Sequence, residues 1–441
     1  MFDEQFDEQW NKFLEDKAIS LGLTRCQTKV FLTRFKYNNW LKTREDIWSE
    51  SDVNSFEAFI RHSTDVFKAL KSDCAEIGKD RRNFPIARDY LLKEFRLSPS
   101  LSSGGDDFFY DEKQECERTI SQPGALIRIK APSKMGKSKL LNNILNYASE
   151  QKYNTVHINL LQIEKSKLEN LERFLRWFCI YLSDALNLDL KLDDYWSQDR
   201  GSMLSCTRYL ETILHQLEQP LVIGLDDADR LLNYPDISQD FFYLLRSWHE
   251  DANNEEVWEK LRLIVVYSTE DFGNLDINRS PFNVGLPIEL KPIERSQLSE
   301  LATSYGLDLS ATQIDRLMVM LGGHPYLVDL ILSNLSGNSQ LSLDELLQQA
   351  TTDTGIYSSY LRQHLINLKS NSQLTEMFIQ ILDSPQPIQV DTLLGYQLYR
   401  MGLIKWSENN AVVPSCELFR LYFLPRLQVS HSTVSVYRSE Q

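Results

Sequence analysis

Ala131-Pro132-Ser133-Lys134-Met135-Gly136-Lys137-Ser138 follows the apolar run Leu126-Ile127-Arg128-Ile129-Lys130 and leads into Leu140-Leu141-Asn142-Asn143-Ile144-Leu145. A strand-like run, a loop closing on Gly-Lys-Ser and an apolar helix are the parts of a phosphate-binding loop. In such a loop, backbone N–H groups and the helix N-terminus surround the phosphates, a lysine neutralises charge and a hydroxyl ligates Mg²⁺. Here Lys137 takes the lysine position, Ser138 the hydroxyl position, and Lys139 opens the helix behind them. Ala131 stands where the strict pattern has its first glycine. A surface turn carrying Gly-Lys-Ser by chance is the competing reading of these residues alone.

A phosphate loop needs a partner, an acid at the end of a neighbouring strand that holds the metal and positions water. Leu221-Val222-Ile223-Gly224-Leu225-Asp226-Asp227 supplies it about ninety residues on. Asp226 is read as the metal residue and Asp227 as the catalytic acid, in the place where an ATPase usually carries glutamate. Aspartate is shorter by one methylene, about 1.5 Å of reach, and errors of ~1 Å can cost ~10²-fold in rate, so slow hydrolysis is expected. A buried strand ending in a solvated acidic turn is the bland alternative. The run Leu261-Arg262-Leu263-Ile264-Val265-Val266 ends in Tyr267-Ser268-Thr269-Glu270. Ser268 and Thr269 are candidates to contact the γ-phosphate or the attacking water, or else to cap a helix. Further on, Gly322-Gly323-His324-Pro325-Tyr326 separates two helical stretches. Its proline could pack on an adenine face, and an ordinary helix-to-helix turn would look similar.

Around these motifs the 441-residue chain divides by pattern. Residues 1–96 read as helices with short turns, and the Ser/Gly/Asp-rich stretch 97–107 reads as a linker. From 108 to 292, runs at 126–130, 155–160, 221–225 and 261–266 alternate with amphipathic helices, the pattern of a parallel sheet covered by helices. Residues 293–368 turn helical. The stretch 369–427 shows helices at 374–382 and 390–399, a strand at 402–406, a turn at Glu408-Asn409-Asn410, a return strand at 411–414 and a helix at 415–424. Helices followed by a hairpin give a winged-helix outline. Residues 428–441 are left as a flexible tail.

Composition narrows the partners. A net charge of -15 argues against coating nucleic acid through overall charge, though a local basic face could still bind DNA. No apolar run reaches the roughly 20 residues that span a bilayer, so no membrane segment is expected. The acidic start Met1-Phe2-Asp3-Glu4 lacks the blocks of a signal peptide. Six scattered cysteines without a C-x-x-C pair indicate neither zinc nor a disulfide framework, and a cytoplasmic location is expected.

Several long signatures occur together: residues 123–132 with Met135-Gly136-Lys137, Phe174-Leu175-Arg176-Trp177-Phe178-Cys179, Leu225-Asp226-Asp227-Ala228-Asp229-Arg230, residues 241–250, and Ser280-Pro281-Phe282-Asn283-Val284-Gly285. From about 108 to 427 the chain resembles the bacterial AAA-like domain ATPases, relatives of the signal-transducing STAND NTPases. In that family alanine is common at the position of Ala131. The resemblance implies an α/β P-loop NTPase core followed by a helical lid and a C-terminal winged helix. It also implies ATP bound between sheet and lid with Gly323 and Pro325 near the base, Mg²⁺ at Ser138 and Asp226, and the winged helix as a moving part. Residues 23–32, 42–48 and 55–68 resemble a helix-turn-helix module that often precedes this domain and is thought to serve as an adaptor for effector proteins. Basic and acidic residues nearly balance across it, and Phe56, Phe59, Val66 and Phe67 fall at core spacing.

The expectation is therefore an ATP-dependent switch, engaging an effector or signalling protein through its N-terminal module and hydrolysing slowly. Two alternatives stay open at this point: a DNA-binding regulator or mobile-element accessory ATPase assembling on duplex DNA, and a nucleotide-binding scaffold that never hydrolyses. Arg246 could reach a neighbour's γ-phosphate in a nucleotide-dependent homo-oligomer, although pairing with an acid on its own surface is the favoured reading.

Overall fold

In the computed structural model, residues 3–36, 39, 44–71, 87–88, 90–91, 109–196, 198–268, 280–337 and 342–438 are described. The chain forms two compact units, Met1–Ser103 and Gly104–Gln441. Thr269 and the stretch 97–107 read as a linker lie outside the described residues.

The first unit holds α1 (Asp3–Ser20), α2 (Arg25–Phe35), α3 (Arg44–Ser49) and α4 (Phe56–Leu70). Local sequence starts two of them. Thr24 and Gln27 form a capping box on α2, and the Ser55 hydroxyl accepts the Ala58 N–H at the start of α4. Phe59 and Val66 are fully buried as their spacing predicts, while Phe56 and Phe67 pack at the edge of the core. Trp10 is also buried and donates its indole N–H to the Phe35 carbonyl at 2.7 Å.

The second unit is built on a five-stranded parallel sheet in the order β2-β3-β4-β1-β5. The strands are β1 (Leu126–Lys130), β2 (Asn154–Asn159), β3 (Leu221–Asp226), β4 (Leu261–Tyr267) and β5 (Leu286–Glu289). Helices α5 (Tyr110–Ile120), α6 (Lys137–Glu150), α7 (Leu171–Leu186), α8 (Ser202–Gln216) and α9 (Pro235–Asp251) accompany it. Side-chain alternation assigns the two faces. Ile127, Ile129, Val222, Ile264 and Val266 pack with α6, while Ile223, Leu225, Leu263 and Val265 pack with α7, α8 and α9. Both central strands, β3 and β4, are buried along their whole length, as a doubly covered parallel sheet requires. Gly224 lets α6 lie close: a Cβ there would stand 2.8 Å from Leu141 Cδ1. The short edge strand β5, which carries Pro287, was not legible in the pattern; a proline suits an edge because only one side of the strand needs pairing.

Then come α10 (Arg295–Ser304), α11 (Ala311–Leu321), α12 (Pro325–Gly337), α13 (Leu343–Gln349) and α14 (Ser358–Lys369). The chain closes with α15 (Ser372–Asp383), β6 (Ile388–Gln389), α16 (Thr392–Arg400), β7 (Ile404–Trp406), β8 (Ala411–Pro414) and α17 (Glu417–Arg438). The last three strands form an antiparallel sheet in the order β6-β8-β7. Asn409 and Asn410 both adopt left-handed backbone at the β7–β8 turn, which asparagine tolerates better than most residues. Helix α17 runs well past the expected end at 424 and takes in most of the stretch read as a flexible tail. Pro425 does not stop it, because packing holds the chain on both sides: Phe423 and Leu427 are fully buried, and Arg426 donates to the Thr351 carbonyl at 3.0 Å.

Candidate functional site

Strand β1 delivers the chain to the loop 131–136, and α6 begins directly behind it. Gly136, at φ +95°, makes the turn into the helix; a Cβ there would also meet the Phe109 ring at 2.5 Å. Ala131 and Met135 are buried, and Lys134 adopts left-handed backbone at φ +59°. Lys137 is buried with its ammonium donating to the Ala131 and Pro132 carbonyls, each at 2.9 Å. Burial pushes that ammonium below its ordinary pKa, against the upward pull of Asp227, Asp229 and Asp226.

β3, separated from β1 by β4, ends on Asp226, 2% exposed, at the same end of the parallel sheet. Ser138 lies close enough to the Asp226 carboxyl to lower its pKa, so the hydroxyl and acid read from separate motifs come together. His157, on the adjacent strand β2, places Nε2 3.8 Å from Asp226 Oδ2, an ion-pair distance rather than a hydrogen bond. Burial pushes the Asp226 carboxyl up, but His157, Ser138 and Lys137 together outweigh it and leave the carboxyl below the usual range. Asp227 behaves oppositely. Burial first and Asp226 second push its carboxyl up to about 7, and its backbone sits at φ +54°, strained for a residue with a side chain.

Ser133, Asp227, Asp229, Arg230, Ser268 and Arg400 are among the residues lining a cleft of about 190 Å³ beside the loop. Ser268 is buried at the end of β4. Arg230 is anchored on the Leu160 and Ile163 carbonyls at 2.6 and 2.8 Å. Arg400, 170 residues later, reaches Asp229 Oδ2 at 3.2 Å, and its carbonyl accepts the Ser133 N–H at 2.9 Å. Sequence reasoning missed His157, Asp229 and Arg400 as members of the site. Asp229 was visible inside the Leu-Asp-Asp-Ala-Asp-Arg signature, whereas nothing local marks His157 or Arg400.

Gly323 and Pro325 are not among the residues lining this cleft. Gly323, at φ +71°, is clamped to the chain leaving β5: its carbonyl accepts the Ile293 N–H, and a Cβ would stand 2.2 Å from the Ile293 carbonyl. Its neighbour His324 belongs to a buried cluster beside the loop. The Lys134 ammonium lies 3.8 Å from the Tyr326 ring centre and 5.0 Å from that of Tyr360, which packs edge-on against His364. Burial lowers Lys134 to about 8, His324 to about 3 and His364 to about 4. The unfolded histidines titrate near 6.5, so between about pH 6.5 and 4 the unfolded chain binds more protons than the folded one. Folding stability is therefore expected to fall with acidification through that window, by up to about 1.4 kcal/mol per pH unit for each histidine. Thermal unfolding midpoints between pH 7.5 and 5 check this; a flat profile would contradict it.

Arg246 pairs within its own chain, with Glu250 at 2.6 Å and with the Ser280 carbonyl and Asn283 side chain. Among the described residues no helix is long and apolar enough to cross a membrane.

A family model described as "AAA-like domain" matches residues 105–425. No curated protein matches the chain. Among solved structures, the chain is similar to the Aeropyrum pernix ORC2 protein in ADPNP-ADP complexes, at 13% identity over 73% of this chain and 94% of that one, with a TM-score of 0.46. It is also similar to the Aeropyrum pernix ORC1 protein in complex with DNA, at 14% identity, 72% and 92% coverage and a TM-score of 0.39. Domain III of the Thermotoga maritima replication initiation protein DnaA is 16% identical over 58% of this chain and 93% of that one, with a TM-score of 0.33.

Proposed function

The chain belongs to the AAA-like domain family and carries a P-loop NTPase fold, and from that premise we propose that it is an ATP-dependent molecular switch of the STAND kind. One observation carries the reading. The Ser133 N–H, one of the loop donors that would face phosphate, is bonded instead to the carbonyl of Arg400 in the C-terminal elements. A ligand that recruits that donor must break or rearrange a link to the last part of the chain, so nucleotide occupancy and the position of 372–438 are coupled.

The donor set fits the expected ligands. Ser138 and Asp226 bring a hydroxyl and a carboxylate into one neighbourhood, the hard oxygen donors that Mg²⁺ prefers, with the cation Lys137 beside them. Bound there, Mg²⁺ would neutralise charge developing on the transferred phosphoryl group. The loop 131–139 would hold the phosphates, Ser268 would contact the γ-phosphate or the attacking water, and Asp227 would orient that water. The short reach of Asp227 and its carboxyl pKa near 7 both favour slow turnover. Gly323 acts by holding the helical segment to the sheet, with His324, Pro325 and Tyr326 following it beside the loop.

In this reading α10–α14 are the lid, and α15–α17 with β6–β8 are a winged helix that moves with nucleotide state. The N-terminal unit is a helix-turn-helix module that engages an effector protein. DNA contact by that module is less well supported: Arg34 is buried against Phe67, and Lys68 pairs with Asp65 on its own helix.

Hydrogen exchange on the full chain tests the coupling. Amides of 392–414 are expected to change protection when a non-hydrolysable ATP analogue with Mg²⁺ replaces ADP. Identical exchange in the nucleotide-free, ADP and analogue states would remove the switch reading.

A further inference from the structure

The turn between α16 and β7 lies on the phosphate loop through its backbone and on the acidic turn after β3 through a side chain. The Arg400 carbonyl accepts the Ser133 N–H, while the Arg400 guanidinium reaches across to Asp229. Gly402, at φ +79°, supplies the left-handed backbone of this turn, where a Cβ would make ordinary contact with the Ser133 carbonyl and His324 Nε2. Asp229 is 4% exposed, but the Arg400 side chain that meets it is 47% exposed and opens onto the cleft shared by Ser133, Asp227 and Ser268. The Arg400 charge also acts on the Lys137 ammonium, which places the two cations in one electrostatic neighbourhood.

We propose that Arg400 is the residue by which this chain distinguishes a nucleoside triphosphate from a diphosphate, exchanging its Asp229 partner for the γ-phosphate. The inference rests on the ATP reading of the cleft given above. A planar guanidinium offers several N–H donors to phosphate oxygens, and a terminal phosphate carries more negative charge than a single carboxylate. Asp229 and a γ-phosphate therefore compete for one cation. A diphosphate, lacking the third phosphate beside Asp227, leaves the Arg400–Asp229 pair as it stands. The exchange would pull on the same turn whose carbonyl holds Ser133, so the identity of the nucleotide is passed to α16 and β7. No local motif marks Arg400, because a residue on the last turn of a helix far along the chain enters this cleft only through the tertiary fold.

The test is equilibrium binding of ATP and of ADP, each with Mg²⁺, to the full chain and to two variants. Arg400→Ala is expected to bind ATP about 10- to 100-fold more weakly while ADP affinity changes less than about threefold. Asp229→Asn, which frees the guanidinium without removing it, is expected to raise the preference for ATP over ADP by about threefold or more. It keeps the inference falsifiable should Arg400→Ala fail to fold. An equal loss for both nucleotides in Arg400→Ala, or an unchanged ATP-to-ADP ratio in a folded Asp229→Asn, would overturn the assignment of Arg400 alone. A wild-type chain that binds neither nucleotide would overturn the reading of the cleft as well.

Discussion

Asp226→Asn is expected to lower phosphate release from ATP by about 10²-fold or more, with a smaller effect on nucleotide affinity. The substitution keeps the shape of a side chain that is 2% exposed at the end of β3 and removes only its charge and one acceptor oxygen. In the proposed site that carboxylate would fix the cation together with the nearby Ser138 hydroxyl, so the amide should leave the metal poorly placed relative to the reacting phosphate. Phosphate affinity, by contrast, resides mainly in the loop N–H groups, the N-terminus of α6 and Lys137. A phosphate-release assay at saturating ATP separates the two effects. Turnover within threefold of wild type would show that Asp226 does not hold the catalytic cation. The same assay on Asp227→Glu reads the second acid: restoring the missing methylene should raise the rate if reach is what limits it.

Much of this arrangement could be read from the chain, and the parts that could not share a physical cause. Strands β1–β4 are long enough and apolar enough to appear as runs, β3 and β4 because both their faces are buried, and Gly136-Lys137-Ser138 and Asp226 follow or end two of them. Two short strands lacked that signal. β5 has four residues, one of them proline, and β6 only two; pairing with β1 and β8 makes them strands, not their own composition. The end of α17 was misplaced for a related reason. Pro425 is a local stop signal, and buried Phe423 and Leu427 on either side override it.

The site divides in the same way. Residues carried by one contiguous motif, Ser133, Lys137 and Ser138, or by the end of one strand, Asp226 and Asp227, were legible because the chemistry needs them at fixed spacing. Arg400 and His157 were not, since a salt bridge across 170 residues and a cross-strand neighbour leave no local pattern. The cluster of Lys134, His324, Tyr326, Tyr360 and His364 was likewise hidden. Gly322-Gly323-His324-Pro325-Tyr326 reads either as a base-contacting turn or as an ordinary helix-to-helix turn, and the pattern does not reveal that its glycines lie tight against the Ser415 and Ile293 carbonyls. Its aromatic residue packs on a lysine of the phosphate loop itself.

The most direct test of the central claim is a calorimetric titration of the full chain with ATP and Mg²⁺, alongside Lys137→Ala. The Lys137 ammonium donates to the Ala131 and Pro132 carbonyls and lies in the field of three carboxylates, poised to turn to an anion in the loop. Its removal takes away the main cation for the phosphates and leaves Asp226, Asp227 and Asp229 to repel them. Saturable binding at one site in the wild type, weakened at least about 10²-fold (about 2.7 kcal/mol) in a Lys137→Ala protein that keeps its thermal unfolding midpoint, is the predicted result. A Lys137→Ala chain that binds ATP as tightly as wild type would contradict it.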